Sequence, residues 1–198
     1  IDLGTGRTAV AVSAGGSHIC AILDNGDLKC WGRDYRGQLG DGGSTEPGND
    51  LNAPPASAIN LGTGRTAVGV SAGFDWTCAL LDNGDVKCWG NHYNGQLGIG
   101  GTYPGWTSSS PQAVDLGTNR TAVAIGTGAE ANTCAILDNG EMKCWGANWY
   151  GQLGDGGTNT REFSPVSVSG SNTWDSSTGL SSGSGGGMTN VTGATCSI

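Results

Sequence analysis

Apolar residues in this chain come in short runs of alternating character, and the same runs recur. Residues 8–14 read T-A-V-A-V-S-A, small or polar positions alternating with β-branched ones, the period of a half-buried strand. A second run, C-A-I-L from Cys20, is followed by Asp24-Asn25-Gly26 and then by D-L-K-C-W-G. Asp-Asn-Gly between apolar runs predicts a β-hairpin, and it returns at Asp82-Asn83-Gly84 and Asp138-Asn139-Gly140. A three-residue loop fits each site, with a type I turn on the first two residues and the glycine left-handed as a bulge. The pattern is all-β.

These recurrences belong to a longer repeat. Segments opening IDLGTGRTAV, INLGTGRTAV and VDLGTNRTAV each reach C-A-(I/L)-L-D-N-G-(D/E)-x-K-C-W-G and close on G-Q-L-G. The copies begin at Ile1, Ile59 and Val114, a spacing of 58 and then 55 residues. The differences lie in Pro/Gly/Ser-rich joins at 43–57 and 101–113 and in one residue added before Cys134. Organisation follows as repeat 1 over 1–58, repeat 2 over 59–113 and repeat 3 over 114–168. A Ser/Thr/Gly-rich tail, 169–198, reads as a linker or the start of a further β-domain.

The hairpin register places cysteines. With Leu23 opposite Asp27, Ile22 faces Leu28, Ala21 faces Lys29 and Cys20 faces Cys30. That pair falls on a non-hydrogen-bonded site, where Cα atoms approach to about 4.5 Å, within reach of a disulfide. The same count pairs Cys78 with Cys88 and Cys134 with Cys144. Free buried cysteines and metal ligation are the rival readings. Nine residues separate the members of each pair, wider than the usual two to four of cysteine zinc sites, and no metal or other cofactor is expected. Disulfides imply secretion, the cell surface or the periplasm. Each contributes about 2.5–3 kcal/mol in the chain-entropy model.

A glycine-terminated strand, Ser13-Ala14-Gly15, then H-x-C-A-I-L-D-N-G-D-L-K-C-W-G and G-Q-L-G-D-G, resembles the repeat of the regulator-of-chromosome-condensation family. The resemblance covers residues 1 to about 168. It implies β-propeller blades of antiparallel strands, about one four-stranded blade per repeat, in a ring that typically has seven. The cysteine pair departs from intracellular members and is similar to what secreted microbial relatives carry. Three blades do not close a ring, so the expectation is a partial propeller, or arc, completed by a longer chain or by an oligomer. The start at Ile1 and the odd cysteine, Cys196, favour a piece of a longer protein.

Repeated residues read as structural. Trp31, Trp89 and Trp145 are expected between blades, Gln38, Gln96 and Gln152 on turn backbone, and Leu39, Leu97 and Leu153 in the blade interface. Functional residues should break the repeat. Next to G-Q-L-G, the stretches Arg33–Arg36, Asn91–Asn94 and Ala147–Tyr150 place Tyr35, Tyr93 and Trp149 at one equivalent position. These aromatics are the candidate binding row, for a protein or a glycan, against the plainer reading of blade-edge packing.

Charge narrows the partners. A net charge of −8 with 13% charged residues offers no basic cluster for a phosphate backbone, so nucleic acid is not expected. No run approaches the roughly twenty apolar residues of a membrane span. No catalytic residue is assigned. Gly179–Gly183 matches the G-x-S-x-G pattern around Ser181 but lacks strand, helix and downstream histidine. Asn119-Arg120-Thr121 and Asn190-Val191-Thr192 fit the glycosylation sequon, and the Asp-Gly turns lack the alternating carboxylates of a calcium loop. The expectation is a non-enzymatic extracellular or cell-surface interaction module. The alternatives are a structural building block of a surface assembly, or a hydrolase using His18 or His92 with a serine.

Overall fold

The computed structural model describes residues 1–43, 50–101 and 106–170, and the backbone of 189–190. The Ser181 motif and Cys196 lie outside the described residues. Twelve strands occur among the described residues: β1 Ala9–Ala14, β2 His18–Leu23, β3 Leu28–Gly32, β4 Ala67–Ala72, β5 Trp76–Leu81, β6 Val86–Asn91, β7 Thr107–Ala113, β8 Ala122–Thr127, β9 Asn132–Leu137, β10 Met142–Ala147, β11 Arg161–Ser167 and β12 Thr189–Asn190. They form three antiparallel sheets, β1-β2-β3, β4-β5-β6-β7 and β11-β10-β9-β8-β12. No helix among the described residues is long and apolar enough to cross a membrane.

Hairpin loops form as the sequence predicts. Leu23 N–H donates to Asp27 O at 2.8 Å, Gly26 N–H to Leu23 O at 2.8 Å, and Gly26 has φ of 80°. Ile22 then faces Leu28, Ala21 faces Lys29 and Cys20 faces Cys30. The structure joins Cys20 to Cys30, Cys78 to Cys88 and Cys134 to Cys144, each with a Cα separation of 4.1 Å. That spacing is the close approach of a non-hydrogen-bonded pair.

Among the described residues, blades 2 and 3 have four strands of their own, but blade 1 has three. Its outer segment touches β3 through a single bridge, Gly32 to Leu51. Blade 2 pairs Gly90 with Ser108, six residues before Val114, whereas Leu51 lies eight before Ile59. Pro54-Pro55 in that longer stretch deny it two backbone donors. The outer strands of blades 2 and 3 carry one proline each, Pro111 and Pro165, placed in the bulged part of the strand.

Two cores lie between blades. Cys20, Ile22, Leu28, Cys30 and Leu39 of blade 1 pack on Ile59, Leu61, Val70, Ala79, Leu81 and Trp89. On the other side of blade 2, Cys78, Leu80, Val86 and Leu97 pack on Leu116, Ile125, Leu137 and Trp145. Alternation along β5 sends Cys78 and Leu80 forward and Ala79 and Leu81 back, as period-two geometry requires. The Cys20–Cys30 and Cys78–Cys88 disulfides therefore face the next blade.

The two ends of this stack are unlike its joints. Val12 is 63% exposed, whereas its counterparts Val70 and Ile125 are fully buried. Ile1 is 93% exposed against 8% for Ile59 and Val114. Trp31 is half-buried, short of the interblade position that the repeat predicts, because no blade among the described residues packs against that side.

Candidate functional site

A hydrogen-bond relay fixes each blade against the next. Gln38 carbonyl accepts from Trp89 Nε1 at 2.9 Å and from Thr77 Oγ1 at 2.9 Å. Gln96 carbonyl accepts from Trp145 Nε1 at 2.9 Å and from Thr133 Oγ1 at 3.0 Å. Trp76 Nε1 donates back to Thr133 Oγ1 at 3.1 Å, and His18 Nε2 lies 2.8 Å from Thr77 Oγ1. Thr77 has spent its one proton on Gln38, so His18 must be the donor and carries its proton on Nε2. Its Nδ1 is buried without a partner, and burial pushes the pKa down to about 4.

The G-Q-L-G turn makes that relay possible. Gln38 Oε1 accepts Arg36 N–H at 2.8 Å, Gln96 Oε1 accepts Asn94 N–H at 2.8 Å, and Gln152 Oε1 accepts Tyr150 N–H at 2.9 Å. Each glutamine thus holds its own turn, and Gln38 and Gln96 turn their carbonyls to the next blade. Gly40 has φ of +73°, and a Cβ there would fall 2.5 Å from Trp89 Nε1. Only glycine satisfies both demands.

With the repeated residues spent on joints, the rim carrying the G-Q-L-G loops is left to the residues that differ. Tyr35, Tyr93 and Trp149 occupy the same place in the three blades and are 37%, 54% and 45% exposed. Arg36 stands over the Tyr35 ring at 4.7 Å and Arg33 at 5.4 Å. Tyr93 meets Trp106 at 5.3 Å between ring centroids, tilted by 58°, and Arg161 at 5.6 Å. Arg161 also donates to Tyr93 O at 3.1 Å. Arg33 and Arg36 precede G-Q-L-G, but Trp106 and Arg161 arrive on outer strands of blades 2 and 3, an arrangement no single repeat announces.

Asp75, in the β4–β5 turn, connects the two clusters. Its carboxylate accepts from Asn91 Nδ2 at 2.8 Å, and Asn91 Oδ1 accepts Tyr93 N–H at 2.9 Å. Burial raises the Asp75 pKa, opposed by the Asn91 hydrogen bond and by the charges of Arg36 and Arg33.

Both histidines are occupied structurally. His92 is 2% exposed, contacts Gly100 O through Nε2 at 3.0 Å and meets Phe163 edge-on at 5.4 Å. Burial lowers its pKa, with the Gly100 contact opposing. The hydrolase reading finds no support in these placements. A cleft of about 520 Å³ opens between blade 1's outer segment and β7, lined by Leu39, Ile59, Asn60, Lys87, Ser110 and Pro111 among others. It lies where blade 1 lacks its fourth strand.

The fold has known counterparts. The model of the regulator of chromosome condensation (RCC1) repeat matches residues 9–38, 67–96 and 122–152, one stretch per blade. The chain belongs to the RCC1 repeat family. It is 34% identical over 154 residues to the ultraviolet-B receptor UVR8 of Arabidopsis thaliana, covering 77% of this chain and 32% of that protein. It is 33% identical over 147 residues to the mitochondrial RCC1 domain-containing protein RUG3 of the same plant, covering 73% and 32%. The chain thus spans about a third of these relatives. Among solved structures, Prp20p of Saccharomyces cerevisiae superposes with a TM-score of 0.72 at 18% identity, over 82% of this chain and 38% of that one. Human WBSCR16 gives 0.71 at 20% identity, over 83% and 39%. The yeast protein has been studied for binding to Gsp1p and histones, and has been solved with Kap60.

Proposed function

We propose that this RCC1-repeat chain is a non-enzymatic protein-interaction module, an arc of a larger ring that grips a partner protein through the rim bearing Tyr35, Tyr93 and Trp149. The observation that carries this reading is the division of labour among residues. What the repeats share is consumed by turns, disulfides and joints, and what distinguishes them gathers on one exposed rim. Protein binding by the yeast structural neighbour supports the same reading.

The arc rests on the exposed leading face of blade 1, where Val12 lacks the cover that Val70 has. Burying such a side chain is worth about 1.5–3 kcal/mol, so further blades, in the same chain or from another copy, are the natural cover. Three paired cysteines per chain favour an extracellular or cell-surface location. The structural-block alternative differs in using the blade ends, not the rim, as its contact surface.

Photo-cross-linking separates these readings. A benzophenone amino acid at Tyr35, Tyr93 or Trp149 should give discrete adducts with a partner in the native extracellular fraction. The same group at Asn25 or Asn83, on the opposite rim, should not. Adducts at the hairpin tips alone, or only homotypic adducts from Val12, would overturn the module reading.

A further inference from the structure

The basic residues divide sharply, although the chain is acidic. Lys and Arg total nine. Arg7, Arg65 and Arg120 pair with Asp24, Asp82 and Asp138 at 3.3–3.4 Å on the opposite rim. Lys29, Lys87 and Lys143 lie over the L-G-T loops of their own repeats, with Nζ 3.4–3.8 Å from where a Cβ on Gly4, Gly62 or Gly117 would stand. These six occupy repeat-equivalent positions. The remaining three, Arg33, Arg36 and Arg161, have no basic counterpart in the other repeats, and each stands on a tyrosine of the binding rim.

We propose that this rim binds an acidic peptide segment of the partner protein, whose carboxylates are held by the guanidinium groups of Arg33, Arg36 and Arg161. The proposal rests on the module reading and specifies its partner. A guanidinium stacked on a ring keeps in-plane N–H donors for a carboxylate, which it can meet with two parallel hydrogen bonds. Among the described residues, none of the three arginines forms an ion pair within 4 Å. The neighbouring acids accept hydrogen bonds from other groups, and the charges of Arg36 and Arg33 also act on Asp75. Asp34 accepts Leu39 N–H, Asp50 accepts Asp34 N–H, Glu162 accepts Asn159 Nδ2–H, and Asp75 is held by Asn91.

The same geometry disfavours a sugar. Stacking needs open aromatic faces, and arginines stand over two of the three rim aromatics, Tyr35 and Tyr93. It also disfavours a nucleic acid, because three cations on a chain of net charge −8 do not offset the long-range repulsion of a polyanion.

The test uses fluorescence anisotropy on the full chain with a labelled Gly-Glu repeat peptide. Its Gly-Gln counterpart, a single-stranded oligonucleotide and a labelled maltooligosaccharide serve as competing probes. The Glu peptide should bind, weaken as salt rises, and lose at least about tenfold in affinity in the R33Q/R36Q/R161Q variant. R7Q, on the opposite rim, should leave binding unchanged, and unchanged thermal unfolding certifies the fold of each variant. Equal binding of the Gln peptide, tighter binding of the oligonucleotide or the sugar, no binding of the Glu peptide, or an unaffected triple variant would overturn the proposal. Rim cross-links to a partner would still stand in those cases, so failure here is distinct from failure of the module reading.

Discussion

His18 is a buried switch in the first interblade joint, and its contribution can be measured through pH. Burial lowers its pKa from 6.5 to about 4, while the unfolded chain keeps the ordinary value. Between those values the unfolded state carries a proton that the folded state refuses, so stability rises with pH there. The contribution is complete above about pH 6.5 and is lost as pH falls toward 4. A shift of that size corresponds to about 3 kcal/mol in full, of which about 2 kcal/mol is lost between pH 7.5 and pH 5. His92 shifts in the same direction, so the wild-type slope holds both terms. His18→Asn isolates one of them. Asparagine occupies this position in repeat 3, as Asn132, and does not titrate. Urea unfolding at the two pH values should show the wild type losing about 2 kcal/mol more than the variant. An equal loss in both proteins, or an NMR titration giving His18 an ordinary pKa, would refute the reasoning.

Three further outcomes follow from the same contacts. Thr77→Val removes the hydroxyl between His18 and Gln38 and leaves a buried N–H without an acceptor, so urea unfolding should register a loss of about 1–3 kcal/mol. Ala131, the extra residue in the β8–β9 turn, has φ of 57°, a conformation costing a Cβ-bearing residue roughly 1–2 kcal/mol. Ala131→Gly should therefore raise the melting temperature, against the usual effect of added glycine. Mass spectrometry should find Cys20, Cys30, Cys78, Cys88, Cys134 and Cys144 protected from alkylation until reduction, and reduction should lower stability by about 2–3 kcal/mol per bridge.

Much of the blade was legible in the sequence because its determinants are local. The Asp-Asn-Gly loop sets the hairpin register, and register alone brings Cys20 opposite Cys30. The G-Q-L-G glutamines bond within their own turn, two residues away. What escaped was either relational or exceptional. His18 and Thr77 meet across 59 residues, and Arg161 reaches Tyr93 across 68, so neither contact is written into one repeat. Trp31 has the sequence context of Trp89 and Trp145 but no blade packed before it among the described residues, and stays half-buried. Blade 1 lost its fourth strand to two prolines and two extra residues, a departure that an average over the repeats conceals.

The stacking of blades is the premise beneath both the joint chemistry and the binding rim, and indole N–H exchange tests it most directly. Trp89 and Trp145 Nε1–H are buried on glutamine carbonyls of the preceding blade, whereas no such carbonyl meets Trp31 among the described residues. In the non-reduced chain the first two should exchange with deuterium slowly, only as the stack opens, and Trp31 should exchange rapidly. Exchange at Trp89 and Trp145 as fast as at Trp31 would contradict an arc of three blades joined as described.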